Sequence, residues 1–143
     1  MKARIAKLVI LTLGMLTVGL LVVHAQITTQ VSFKMSQAFT VGDTTLPAGS
    51  YVITPVQETD LSLIEIAAAS GKPSVLADVS LVAADPSQPG SHLILNKYKN
   101  VLALSQIFPG GGNQGYQLLQ GHPEKMAAKT ETPTKQTVSS AAK

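Results

Sequence analysis

Along most of this chain apolar and polar residues alternate with a period of two, and no other feature so restricts what it can fold into. Val31, Phe33 and Met35 are separated by Ser32 and Lys34, the pattern of a strand with one buried face. Phe39 and Val41 continue it beyond a break at Gln37-Ala38, and a turn follows at Gly42-Asp43. Leu46-Pro47-Ala48-Gly49 makes a second tight connection, because proline presets one dihedral and glycine accepts a positive one. Tyr51 to Val56 is a β-branched and aromatic run, and Leu61 to Ala67 forms the next strand, closed by Ser70-Gly71-Lys72-Pro73. Val75, Ala77, Val79 and Leu81 then present one inward apolar face. Ala84 to Ser91, with two prolines and a glycine, is a loop.

His92 to Tyr98 and Val101 to Phe108 form a hairpin around Lys99-Asn100. Both strands carry apolar residues on both faces, as central strands do. Short strands at intervals of about 8–12 residues predict an all-β fold. The architecture expected is a single small antiparallel β-sandwich or β-barrel of six to seven short strands. A membrane-spanning barrel would need eight or more strands of about 9–11 residues with aromatic girdles, and this chain has three phenylalanines, three tyrosines and no tryptophan.

The two ends differ from this middle. Lys2, Arg4 and Lys7 form a basic head, Leu8 to Val23 run without a charge, and Val23-His24-Ala25 offers a cleavage site between Ala25 and Gln26. That layout is a secretory signal peptide, which meets the export machinery and membrane transiently. The apolar run is just short of the roughly 17–25 residues of a membrane span, and Gly14 and Gly19 weaken it as a permanent anchor. The expected division is a signal peptide over 1–25, a β-domain over 26–121 and a tail over 122–143. Lysine, threonine, alanine and serine dominate the tail, and so little apolar surface predicts disorder. A helical turn or two over Pro123–Lys129 is the one local structure its sequence favours.

Charge and cysteine content narrow the function. The formal +3 of the chain resides in the basic head, so processing would leave a neutral protein without arginine. Nucleic-acid binders carry a basic patch with arginine forks, and that class is set aside. The absence of cysteine means that an exported domain must be held by its apolar core alone.

Val31-x-Phe33, Phe39-Thr40-Val41-Gly42-Asp43 and Leu46-Pro47-Ala48-Gly49-Ser50-Tyr51-Val52 resemble an uncharacterised group of small exported bacterial proteins, notably from Acidobacteria. That group opens its domain with an F-x-V-G…L-P-A-G-x-Y pattern. Leu93-Ile94-Leu95-Asn96-Lys97-Tyr98 and Leu104-Ser105-Gln106-Ile107-Phe108 are similar to its second signature, with Phe108 standing where the group has tryptophan. The resemblance spans roughly residues 31–120 and implies a compact exported domain. It brings no catalytic residue or cofactor.

Residues that could carry chemistry are few. His92 and His122 are the only histidines after the signal, too few for a zinc site without carboxylates. Ser105 lies in a strand and lacks the G-x-S-x-G elbow. Glu58 and Asp60 imitate a glycosidase pair but flank Thr59 in an inter-strand loop. Gly110 to Gly115 spell G-x-G-x-x-G, yet Pro109 precedes them and Gly121 and Pro123 soon follow, so the strand–turn–helix context of a dinucleotide site is not expected. Tyr51, Tyr98 and Tyr116 are the remaining stacking candidates for a sugar.

These observations predict an exported β-domain that is not an enzyme and holds no metal or cofactor. Its expected role is contact with an envelope or extracellular protein or surface, through sheet edges or the loop containing Gly110, Gly112, Asn113, Gly115 and Tyr116. The alternative is a carrier with a lipid-type ligand inside a barrel. Intact-mass analysis of cell fractions tests export: a soluble periplasmic or extracellular species beginning at Gln26 is expected, and an uncut chain in the membrane pellet would make Leu8–Val23 an anchor.

Overall fold

A computed structural model describes residues 30–57 and 61–140. The signal segment with its cleavage site at Ala25 and Gln26, and the carboxylates Glu58 and Asp60, lie outside the described residues. Among the described residues ten strands and one helix follow in order: β1 (Val31–Met35), β2 (Phe39–Val41), β3 (Thr44–Leu46), β4 (Gly49–Pro55), β5 (Leu63–Ala68), β6 (Ser74–Ala83), β7 (His92–Lys97), β8 (Leu102–Phe108), β9 (Gln114–Leu118), α1 (His122–Ala128) and β10 (Thr134–Ser139). The chain is therefore mostly β, as the alternation predicts, with more strands than the six or seven expected.

Hydrogen-bonded neighbours run β1-β4-β5-β6-β9-β8-β2-β3, and β7 joins β8 to β10. The sheet is mixed and does not close. β6, the longest strand, is shared between two partners. Ser74 to Asp78 pair with β5, and Val79 to Ala83 pair with β9. One departure from an antiparallel fold is β2, which lies parallel to β8 with Thr40 opposite Ala103. The β2–β3 hairpin turns at Gly42 with φ of 57°. It docks on the stretch of the β8 edge that β9, paired only at Gln106 and Ile107, leaves open. The Thr40 hydroxyl donates to the Leu102 carbonyl there at 3.4 Å.

Inward residues are those the period of two selects. Val31, Phe33 and Met35 of β1, Tyr51 and Ile53 of β4, and Ile64 and Ile66 of β5 share one buried cluster with Leu93, Leu95, Leu104 and Ile107. Phe33, Phe39 and Tyr51 form its aromatic centre, with ring centroids 5.2–6.2 Å apart. The Tyr51 hydroxyl donates to the Pro47 carbonyl at 2.7 Å, which ties the Pro47-Ala48 connection to the core.

Leu81 does not follow the face assigned to it and is half exposed. It lies where β6 has left β5 for β9, opposite the buried Tyr116.

The tail is ordered through Ser140, against the expectation of disorder. β10 pairs with β7 from Thr134 opposite Lys97 to Ser139 opposite His92. Six backbone pairings on an otherwise open edge supply what side-chain burial does not. Val138 packs on the core, and the Ser140 hydroxyl donates to the Ser32 carbonyl of β1 at 2.7 Å.

Gly121 carries the chain from β9 to α1 directly across the β2–β3 turn, and a methyl group on it would collide with the Gly42 carbonyl. Gly121→Ala is expected to cost about 1–3 kcal/mol through overpacking, seen as a lower urea midpoint. Gly112→Ala, with open space around it, should stay within about 0.5 kcal/mol. Equal midpoints in the two variants would show that the turn yields.

Candidate functional site

The predicted interaction loop divides between two environments. Gly110 and Gly111 adopt φ of 80° and 71°, conformations that glycine reaches without a Cβ clash. With Gly112 and Asn113 they face the 84–90 loop across a cleft of about 290 Å³. The two loops are laced together: Ala84 N–H donates to the Asn113 carbonyl at 2.9 Å, and the Ser91 hydroxyl donates to the Pro109 carbonyl. On the rim the Asp85 carboxylate accepts from Ser87, chiefly through hydrogen bonds that hold it below the usual carboxylate range.

Gly115 and Tyr116, by contrast, belong to β9. Tyr116 is buried, and a Cβ on Gly115 would strike the Phe108 ring. These two are structural positions rather than loop positions. A strand follows the glycines where a dinucleotide fingerprint needs a helix.

His92 is buried with its ring stacked on Phe108 at 4.7 Å, and Nδ1 lies 2.7 Å from the Gly90 carbonyl. Ser105 is engaged elsewhere. Gln117 Nε2 donates to its carbonyl at 3.1 Å and to its hydroxyl at 3.4 Å, while Gln106 Nε2 donates to Gln117 Oε1 at 2.7 Å. His92 and Ser105 thus have separate partners. His122 is exposed at the start of α1, where its N–H donates to Asp43 Oδ1 at 2.5 Å.

Sequence reasoning assigned Glu124 to a solvated tail, and the fold buries it. Its Oε1 accepts from Asn96 Nδ2 at 2.8 Å and from the Tyr98 hydroxyl and Gln120 Nε2 at 3.4 Å. A buried carboxylate is tolerated only with such donors. The one sequence signal was a carboxylate in the first turn of the short helix predicted at Pro123, and that feature alone does not announce burial.

A third locus was not anticipated at all. Val41, Gly42, Asp43 and Thr44 on one side, Val75 to Asp78 of β6 on another, and Leu118 to Gly121 between them line a cleft of about 310 Å³. Leu76 is 59% exposed and Leu119 65%, unusual for leucines lining a common recess. Asp43 and Asp78 are the charged residues among its lining, and no cation is among them.

Comparison with family models, with curated proteins and with solved structures finds no match to this chain.

The buried tyrosines give the fold an alkaline limit. Burial raises the phenol of Tyr98 above its ordinary value, and the Glu124 charge raises it further; burial also raises Tyr51 and Tyr116. The folded chain therefore holds phenol protons more tightly than the unfolded chain, whose tyrosines ionise near about pH 10. Stability from these groups is fully present below that pH and is lost as pH rises toward their folded values. Urea midpoints should fall steadily above about pH 10, and fall less steeply in Tyr98→Phe. Parallel declines in the two proteins would remove Tyr98 from the account.

Proposed function

We propose that this is an exported, non-catalytic β-domain that acts as an envelope or extracellular interaction module, in line with the acidobacterial-type proteins its motifs resemble. In this reading the two parts of the sheet face one another as a sandwich with β6 in common. The shared cluster of β5 and β7 side chains supports that arrangement. The observation that carries the functional reading is the pair Leu76 and Leu119, exposed in one recess beside a length of strand edge without a described partner. Exposed apolar side chains gathered in one place mark contact surfaces more often than scattered ones do. The carrier alternative draws less support, because Phe33, Phe39 and Tyr51 occupy the interior in mutual ring contact.

Site-specific photo-crosslinking in intact cells tests the module. A photoreactive residue at Leu76 is expected to yield a discrete heavier species, and one at the exposed Ser36 is not. Crosslinks from Asn113 alone would move the surface to the glycine loop. Silence at all three positions would end the interaction reading.

A further inference from the structure

The β6 edge has a polarity that can be read from its hydrogen bonds. Val79 N–H donates to the Ser62 carbonyl at 2.8 Å, on the β5 side. Backbone groups alternate sides along a strand, so Val75 and Ala77 also address β5, while Ser74, Leu76 and Asp78 address the opposite edge. The Asp78 carbonyl does so visibly, accepting from Leu119 N–H at 3.5 Å. Beyond that contact β9 has ended, and among the described pairings Ser74 to Ala77 have β5 as their only neighbour. The N–H and C=O of Leu76 therefore point into the 310 Å³ cleft. Thr44, from a strand whose own outer edge is also unpartnered in the described pairings, stands on the other side.

The side chains around this edge are equally specific. On the outer face Leu76 lies between two carboxylates, Glu65 directly across on β5 and Asp78 two residues along β6. On the inner face the partly buried Val75 is exposed to the cleft, with the buried Val41 and Leu118 behind it. A strand laid against β6 would place alternate side chains on these two faces. One set would meet an apolar recess. The other would meet a leucine flanked by acids, which suits the aliphatic stem and charged head of lysine or arginine.

Resting on the interaction reading above, we propose that this cleft is a strand-addition site for an extended segment of a partner protein whose residues alternate between apolar and cationic. Main-chain bonds to the edge that has no described partner supply affinity and the alternating pockets supply selectivity. The acidic outer face opposes an anionic membrane, so a protein segment is the occupant the charges favour.

The test uses protein expressed from the full sequence, 15N-labelled and purified in the form the cell leaves it. The probes are the capped peptides Val-Lys-Val-Lys-Val and Val-Glu-Val-Glu-Val. The lysine peptide should shift the amides of Ser74, Leu76, Asp78 and Thr44, and bind at least tenfold more tightly than the glutamate peptide. Asp78→Lys should erase or invert that preference while leaving the rest of the spectrum in place. Equal binding of the two peptides, no shifts at these amides, or shifts centred on Asn113 would overturn the proposal. So would concentration-dependent shifts of the same amides without peptide, which would mean a second copy occupies the edge. Binding to vesicles of one-third phosphatidylglycerol in phosphatidylcholine through these residues would also overturn it. A crosslink from Leu76 together with a failed peptide titration would leave the module standing and remove only this partner class.

Discussion

A register shift in β8, where Ile94 faces Gln106 and Leu95 faces Leu104, puts Leu104 and Phe108 on opposite faces, and each has to be covered. Leu104 enters the main core with Leu95 and Ile107. Ala103 and Phe108 are buried as well but stand outside that cluster, so the second face needs its own cover. His92 stacked on Phe108, Gly115 beneath the same ring, and Tyr98 with Asn96 under Glu124 supply it. The edges of β8 are equally committed, one to β7 and the other divided between β9 and β2. Strands buried on two faces need this continuous apolar character. The rest of the sheet is arranged around meeting the needs of this strand.

That centrality explains the polar interior. α1 has no side-chain cap of its own at Gly121, and Asp43 from the β2–β3 turn accepts the N–H of His122 in its place. In the same first turn Glu124 reaches the outer face of β7. The helix is thus held at its first turn by a carboxylate from elsewhere, and holds the sheet in return with its own. A helix of seven residues is too short to persist in isolation, so its order comes from these contacts.

What the sequence discloses follows from how each element is stabilised. β1, β4 and β5 are legible because their own side chains decide their faces: Phe33, Tyr51 and Ile64 cannot be exposed without loss. The Pro47-Ala48 and Lys99-Asn100 connections are legible because turn chemistry is local. β10 and α1 are not, since Thr134 to Ser139 are stabilised by the backbone of β7 and Glu124 by residues 26 and 28 positions away. The parallel docking of β2 is hidden for the same reason: nothing in Phe39-Thr40-Val41 specifies where β9 will stop. Leu81 shows the opposite failure: it keeps the local alternation, yet half of its side chain stays exposed.

The Leu46-Pro47-Ala48-Gly49-Ser50-Tyr51 motif belongs wholly to the legible, structural part. In Leu46-Pro47-Ala48-Gly49-Ser50-Tyr51 the phenol returns to the Pro47 carbonyl, and Gly49 lies 3.6 Å, measured from an added Cβ, from the same ring. Each conspicuous position serves the turn, so the pattern describes how the domain closes and is silent on what it meets. Residues informative about function must be those the fold does not require. Leu76, Leu119 and Asp78 meet that condition: the leucines are exposed where burial would be favourable, and Asp78 sits on an outer face where no described ion pair engages it. A strand edge of that composition, with no partner among the described residues for Ser74 to Ala77 beyond β5, lacks the usual protection of edges. The β7 edge, by contrast, is covered by the six residues of β10.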